Sequence, residues 1–138
     1  MRKLLAGVSL VFVLLNSSFA AETGPVNVEV LAKTDKSWNN QQLPHYPNGV
    51  AEVTILRITI PAGMELPMHK HPVINAGIML RGELTVVTED NDILKLEAGD
   101  AIVEVVDKWH YGINEGKGPA EIVVFYAGAE DAPITVNY

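Results

Sequence analysis

The sequence predicts an all-β protein, and three observations lead to this prediction. Short apolar runs rich in Val, Ile and Thr recur at intervals of about ten residues after the N-terminal segment. Gly, Pro, Asn or Asp bounds these runs, as turn-forming residues do between strands. No segment after residue 20 combines a 3.6-residue apolar period with helix caps. Many short strands separated by turns are typical of a sandwich, a barrel or a jelly roll.

The predicted strands follow one another along the chain as apolar or alternating runs. The first covers residues 26–31, where apolar and polar residues alternate for most of the length. Residues 34–49 are rich in turn formers and predict an ordered loop, whose Trp38 and Tyr46 belong either to the core or to a lid over one end of the fold. The later strands are predicted at residues 50–61, 75–80, 84–88, 93–96, 101–106, 109–113 and 121–127.

The first twenty residues have the organisation of an export signal. Arg2 and Lys3 form a basic start, residues 4–15 are an apolar run, and Ser18-Phe19-Ala20 fits a small-x-small cleavage site. A membrane anchor is the alternative, but the run is shorter than the roughly 20 apolar residues that span a bilayer. We therefore expect cleavage after Ala20, a single mature domain of residues 21–138, and a periplasmic or secreted protein without a membrane anchor.

Composition limits the classes of partner and ligand. The chain of 138 residues is 48% hydrophobic and 20% charged, as expected for one globular domain. Its net charge of −7 becomes −9 once Arg2 and Lys3 are removed, which argues against nucleic acid and anionic membranes as partners. There is no cysteine, so disulfides and thiolate chemistry are excluded and a metal site must use nitrogen and oxygen ligands.

Two histidines, His69 and His71, are separated by one residue. In an extended segment both imidazoles lie on one face, where they could hold a zinc, iron, copper or nickel ion. The alternative is a pair of exposed histidines in a loop after Pro67.

This pair belongs to a longer pattern. Residues 63–82 read G-x5-H-x-H-x3-N-x6-G, and residues 99–114 read G-x5-V-x-D-x2-H-x3-N. These segments resemble the two motifs of the cupin superfamily, G-x5-HxH-x3/4-E-x6-G and G-x5-PxG-x2-H-x3-N. The resemblance implies a small single-domain cupin with a double-stranded β-helix, or jelly-roll, barrel. It also implies that His69, His71 and His110 bind a divalent metal ion, which would be Zn, Fe, Mn, Ni or Cu.

Each of the two segments departs from its family motif, the first at the metal site and the second at a turn. Asn75 replaces the glutamate that usually provides the fourth ligand, and an amide oxygen can coordinate but brings no charge. The Pro and Gly of the second motif are replaced by Val105 and Asp107, which alters only a turn.

Glu104 is a lone carboxylate in an apolar run. It either faces the interior beside His110 and supplies an oxygen ligand or lies on the outer face.

Two classes of function remain open from the sequence. The first is a metal-dependent enzyme acting on a small molecule in the barrel mouth, for which Glu104, Tyr46 and Glu65 are candidate acids or bases and no catalytic residue is assigned. The alternative is a non-catalytic small-ligand or sugar-binding cupin with a structural metal or none. The fold does not choose between them. The resemblance also implies a homodimer.

Overall fold

The computed structural model describes residues 24–138, which form two antiparallel β-sheets packed face to face. The predicted export signal at residues 1–20 lies outside the described residues. The described part of the chain contains no helix of the length and apolarity needed to cross a membrane.

Nine strands make up the two sheets of the described residues. The four-stranded sheet has the order β1 (Ala51–Ile60), β8 (Ala120–Ala129), β3 (Ile74–Arg81), β6 (Ala101–Val103). The five-stranded sheet has the order β5 (Ile93–Glu97), β4 (Glu83–Thr88), β7 (His110–Ile113), β2 (His69–Lys70), β9 (Val136–Asn137). Successive strands alternate between the sheets in the manner of a jelly roll, except for β4 and β5, which pair with each other in the five-stranded sheet. The strand pairs of the described residues all lie within one sheet or the other, so the predicted barrel is an open double-sheet jelly roll.

The core lies between the sheets because every second residue of each strand points inward. On β8, for example, Ile122 and Val124 are buried, while Val123 is half-buried and Phe125 exposed on the outer face. Buried apolar side chains, most of them from strands of the two sheets, form one cluster: Ile60, Val73, Met79, Leu84, Val86, Leu96, Ile102, Ala120, Ile122, Val124 and Tyr126. Burial of this apolar surface is the main term that stabilises the fold.

Strand register brings the polar residues of the interior to one end. His110 on β7 is opposite His69 on β2 and Thr88 on β4. In the facing sheet, Asn75 on β3 is opposite Tyr126 on β8. These five residues come from five strands. The same end of the jelly roll therefore holds histidines of both motifs and Asn75 of the first motif.

Most strands predicted from alternation are present, with ends shifted by a few residues, but two predictions are wrong. Residues 26–31 form no strand, and Val26 and Val28 are 92% and 81% exposed, because the alternating segment has no neighbouring strand among residues 24–138. The strand predicted at 101–106 ends at Val103, since the backbone turns towards β2: Asp107 has a φ of 54° and its N–H donates to the carbonyl of His71.

The segment at residues 34–49 is the ordered loop that its composition predicts. Lys36 and Gln42 form an antiparallel bridge, and the N–H of Trp38 donates to the carbonyl of Val103. The second bond attaches the loop to the end of β6. The loop therefore lies next to the residues that follow β6, which include Glu104.

Candidate metal centre

Three histidines converge at the polar end of the interior. The side chains of His69, His71 and His110 each offer a ligand nitrogen, and these atoms all lie within 4.8 Å of one another. Their ring centroids are separated by 4.5 to 5.1 Å. The convergence follows from the fold: β2 pairs with β7 at His69 and His110, and the two-residue spacing returns His71 to the same face.

A backbone carbonyl fixes the orientation of each imidazole. The Nδ1 atom of His69 lies 2.7 Å from the Pro67 oxygen, that of His71 lies 2.8 Å from the Ile134 oxygen, and that of His110 lies 2.8 Å from the Lys108 oxygen. A carbonyl oxygen can only accept, so in each neutral ring Nδ1 carries the proton and donates it. The lone pair of each Nε2 is then free, as in protein metal sites where a second group fixes the histidine tautomer.

Burial keeps two of these rings neutral near pH 7. Removal from water lowers the pKa of His71 to about 4, opposed in part by its bond to the Ile134 carbonyl. Burial also lowers the pKa of His69. His110 is 2% exposed. Neutral imidazole is the form that binds metal, so these surroundings favour ligation over protonation.

The three nitrogens fit a divalent metal ion. Two ligands about 2.0–2.1 Å from a tetrahedral zinc ion are themselves roughly 3.4 Å apart, so nitrogens within 4.8 Å of one another need only a small inward movement. Three histidines with an open position are also the ligand set of catalytic zinc sites, and imidazole suits iron, copper and nickel equally.

Glu104 faces this cluster. The side chain is 8% exposed, and its Oε1 accepts hydrogen bonds from Nε1 of Trp38 at 2.9 Å and from the N–H of Val105 at 2.8 Å. Its Oε2 lies 3.9 Å from Nε2 of His110. One carboxylate oxygen is therefore held by the protein, while the other points towards the histidines.

Asn75 lies on the strand beside Glu104. It is 2% exposed, and its side-chain Nδ2 donates a long bond of 3.4 Å to the Val73 carbonyl. The backbone carbonyl of Asn75 accepts the N–H of Glu104 at 3.1 Å. The residue at the family's acid position is thus neutral in this chain, and the acid is Glu104, which is bonded to Asn75 through the backbone. Both side chains line the same cavity.

The other residues considered from the sequence have different positions. Trp38 contacts the site through Glu104, whereas Tyr46 is 74% exposed and belongs to neither the cavity lining nor the buried core. Glu65 is exposed and pairs through its backbone with Ile113, away from the cavity lining. Trp109 stacks edge-to-face on Tyr138 at 5.1 Å. Of the three candidate acids or bases, Glu104 alone lines the cavity.

Sequence reasoning missed Tyr126 and Thr135. The Tyr126 ring is 3% exposed and lies edge-to-face against His71 at 5.3 Å, and burial followed by the charge of Glu104 raises the pKa of its phenol. Alternation along β8 could have placed Tyr126 inward, because Val124 shares its face. Thr135 Oγ1 lies 3.2 Å from Nδ1 of His71, and no local pattern marks it.

The cluster opens into a cavity of about 260 Å³ between the sheets. The polar residues of its lining are the three histidines, Asn75, Glu104, Tyr126, Thr135 and Asn137. Most of the remaining lining is aliphatic and comes from both sheets: Leu56, Ile58, Ile60, Leu66, Leu84, Val86, Leu96, Ile102, Ile122 and Val124. A cavity with apolar walls and a few convergent polar groups is the usual form of a small-molecule site.

Solved structures share this fold over part of their length. An oxalate oxidase in complex with the substrate analogue glycolate is 27% identical and covers 62% of this chain and 45% of its own, with a TM-score of 0.52. The DMSP lyase DddQ from Ruegeria pomeroyi DSS-3 is 22% identical and covers 62% and 42%, with a TM-score of 0.54. The chain therefore spans less than half the length of either protein.

A smaller protein matches over nearly its whole length. A conserved protein with a double-stranded β-helix domain from Klebsiella pneumoniae subsp. pneumoniae MGH 78578 is 15% identical and covers 82% of this chain and 97% of its own, with a TM-score of 0.54. Comparison with curated protein sequences found no significant match.

The model of the cupin domain family matches residues 56–126, more than half of the chain and both histidine motifs. The protein therefore belongs to the cupin superfamily.

Proposed function

We propose that this protein is an exported metal-dependent cupin enzyme that acts on a small molecule held between its two sheets. The observation that carries the proposal is the convergence of three imidazoles, each with Nδ1 engaged by a carbonyl and Nε2 free, at the end of a cavity of about 260 Å³. His69, His71 and His110 would hold the ion. When bound, it supplies Lewis-acid chemistry or, as iron or copper, redox chemistry.

Glu104 and Asn75 complete the proposed ligand set from the facing sheet. Glu104 provides an oxygen with negative charge. Asn75, whose backbone carbonyl accepts the N–H of Glu104, would provide an uncharged amide oxygen. Tyr126 retains its phenolic proton because burial raises its pKa, so it is a hydrogen-bond donor to a bound molecule. Trp38 keeps the Glu104 carboxylate in position.

The first experiment is metal analysis of the protein purified from its native compartment. We expect about one equivalent of a transition metal in the parent protein. The control variant Glu97→Gln should contain the same amount, because the Glu97 side chain is exposed and lies outside the cavity. The metal identity then selects the substrate panel: dioxygen-dependent turnover for iron or copper, and hydrolysis, lyase or isomerase reactions for zinc. Protein without metal would contradict the proposal.

A non-catalytic binding cupin is the second candidate, and the neutral Asn75 at the family's acid position favours it. An enzyme and a binder differ in one measurement. With the metal-loaded protein, an enzyme converts a ligand that stabilises the fold, whereas a binder raises the melting temperature with the same ligand and leaves it unchanged.

We also propose a homodimer formed through the outer face of the four-stranded sheet. Ile55 and Phe125 are directly opposite each other on β1 and β8, and they are 63% and 43% exposed; Val53 beside them is 57% exposed. An apolar sheet face of this kind is unusual on a monomer and is typical of an association surface. Light scattering of the parent should give twice the chain mass, and Ile55→Lys should give the monomer mass.

A further inference from the structure

The cavity between the sheets is polar at one end only. We infer that the molecule bound there has an apolar body of about ten non-hydrogen atoms and one polar end, and that molecules charged at both ends are rejected. The inference rests on the proposed function, because the polar end is the one that meets the metal centre. The size follows from the volume: a cavity of roughly 150 Å³ holds benzene, and this one measures about 260 Å³.

Strand alternation separates a polar layer from an apolar layer. The polar layer contains His110, Asn75, Glu104 and Tyr126, one from each of four chain segments. Two residues further into the fold, roughly 7 Å along each strand, the inward positions are aliphatic or glycine: Gly112 on β7, Gly77 on β3, Ile102 on β6 and Val124 on β8. The polar layer is therefore one side chain thick.

The apolar layer offers no partner for a second charged group. Among the described residues that line the cavity there is no lysine or arginine, and Glu104 is the one carboxylate. One oxygen of Glu104 already accepts two hydrogen bonds. A charged group buried among Leu84, Val86 and Ile122 would lose its hydration without a compensating contact, which is strongly unfavourable.

Gly112 provides the room directly below the histidines. A Cβ at this position would lie 3.3 Å from Cδ1 of Leu84 and 3.5 Å from Cδ1 of Leu66, so a side chain here would occupy the start of the apolar layer. Gly112 also follows His110 by two residues and points to the same face. The ligand body therefore passes between Gly112 and Val124 on the opposite sheet.

Two probes with the same body test this inference. 2-Phenylethanol has one polar end, and 1,4-phenylenediacetate keeps the ring but carries a carboxylate at each end, so that either orientation places a charge in the apolar layer. Each is titrated into metal-free and zinc-loaded protein while methyl resonances are followed by NMR. We expect 2-phenylethanol to shift the inward methyls of Leu84, Val86 and Ile122 but not those of the outward Val123. 1,4-Phenylenediacetate should bind at least tenfold more weakly than 2-phenylethanol in both forms, since burying an unpaired charge costs more than 1.4 kcal/mol.

A glycine pair controls for effects on the fold. Gly112→Ala should raise the Kd of 2-phenylethanol by roughly fivefold or more, because the added methyl enters the apolar layer. Gly118→Ala, where nothing lies within 4 Å of the added Cβ, should leave it unchanged. Equal affinity for the two probes, or no shift of the inward methyls, overturns the inference. Absence of zinc binding with the probe preference retained overturns the proposed function and leaves this inference standing.

Discussion

Replacing Glu104 by Gln tests which residue completes the metal site. The substitution removes one negative charge but keeps an oxygen able to accept from Trp38 and Val105. Two unit charges about 4 Å apart interact by roughly 4 kcal/mol at an effective dielectric constant of about 20, and a divalent ion roughly doubles this upper limit. Loss of a group beside metal ligands commonly weakens affinity 10–100-fold, or about 1.4–2.8 kcal/mol. We expect Glu104→Gln to fall in this range.

The assay is competitive titration of the variant with Zn(II) and Fe(II) beside Asn75→Ala and the control Glu97→Gln. Asn75 carries no charge, so we expect Asn75→Ala to lose less affinity than Glu104→Gln. Glu97→Gln also removes one charge, but from an exposed side chain, and should bind metal as the parent does. If Glu104→Gln binds as tightly as the parent while Asn75→Ala loses metal, Asn75 is the fourth ligand and the argument from charge fails.

Three further results are expected. His110→Ala should sharply lower metal content with the circular dichroism spectrum retained, and undiminished binding would remove the site as proposed. Mass spectrometry of the exported protein should give a chain beginning at Ala21; retention of residues 1–20 would favour an anchor. Asn114→Ala should lower the free energy of unfolding by about 3 kcal/mol in urea, because the buried amide makes three hydrogen bonds of about 1 kcal/mol each, and an unchanged midpoint would contradict this.

Alternation predicted the strands that pair within the chain and failed where pairing was missing. The run at residues 121–127 became part of β8, which is hydrogen-bonded on both sides. The run at residues 26–31 has a similar pattern but is exposed and unpaired in the described structure. Alternation reports that one face of a segment is apolar, whereas a strand also requires a neighbour, which a single sequence does not identify.

Motif spacing predicted the histidine cluster better than any single residue could. His69 and His71 alone were compatible with an exposed loop, and His110 is about forty positions away. The spacing fixed their relation because the cupin fold pairs β2 with β7 in one register, which brings His69 opposite His110. The orientation of the rings was not predictable, since it depends on carbonyls at Pro67 and Lys108 and on Ile134 near the other end of the chain.

The position of Glu104 depends on a contact that no local pattern contains. Its strand ends at Val103, so strand parity cannot say which way the next side chain points. Trp38 fixes the orientation of the Glu104 side chain. Its backbone N–H donates to the carbonyl of Val103, and its indole N–H donates to the Glu104 carboxylate. The indole and the Val105 N–H stabilise a carboxylate in an otherwise apolar run. The neutral Asn75 and the buried Glu104 are therefore parts of one arrangement, in which the loop allows the negative charge to lie on the residue that follows β6 instead of on β3.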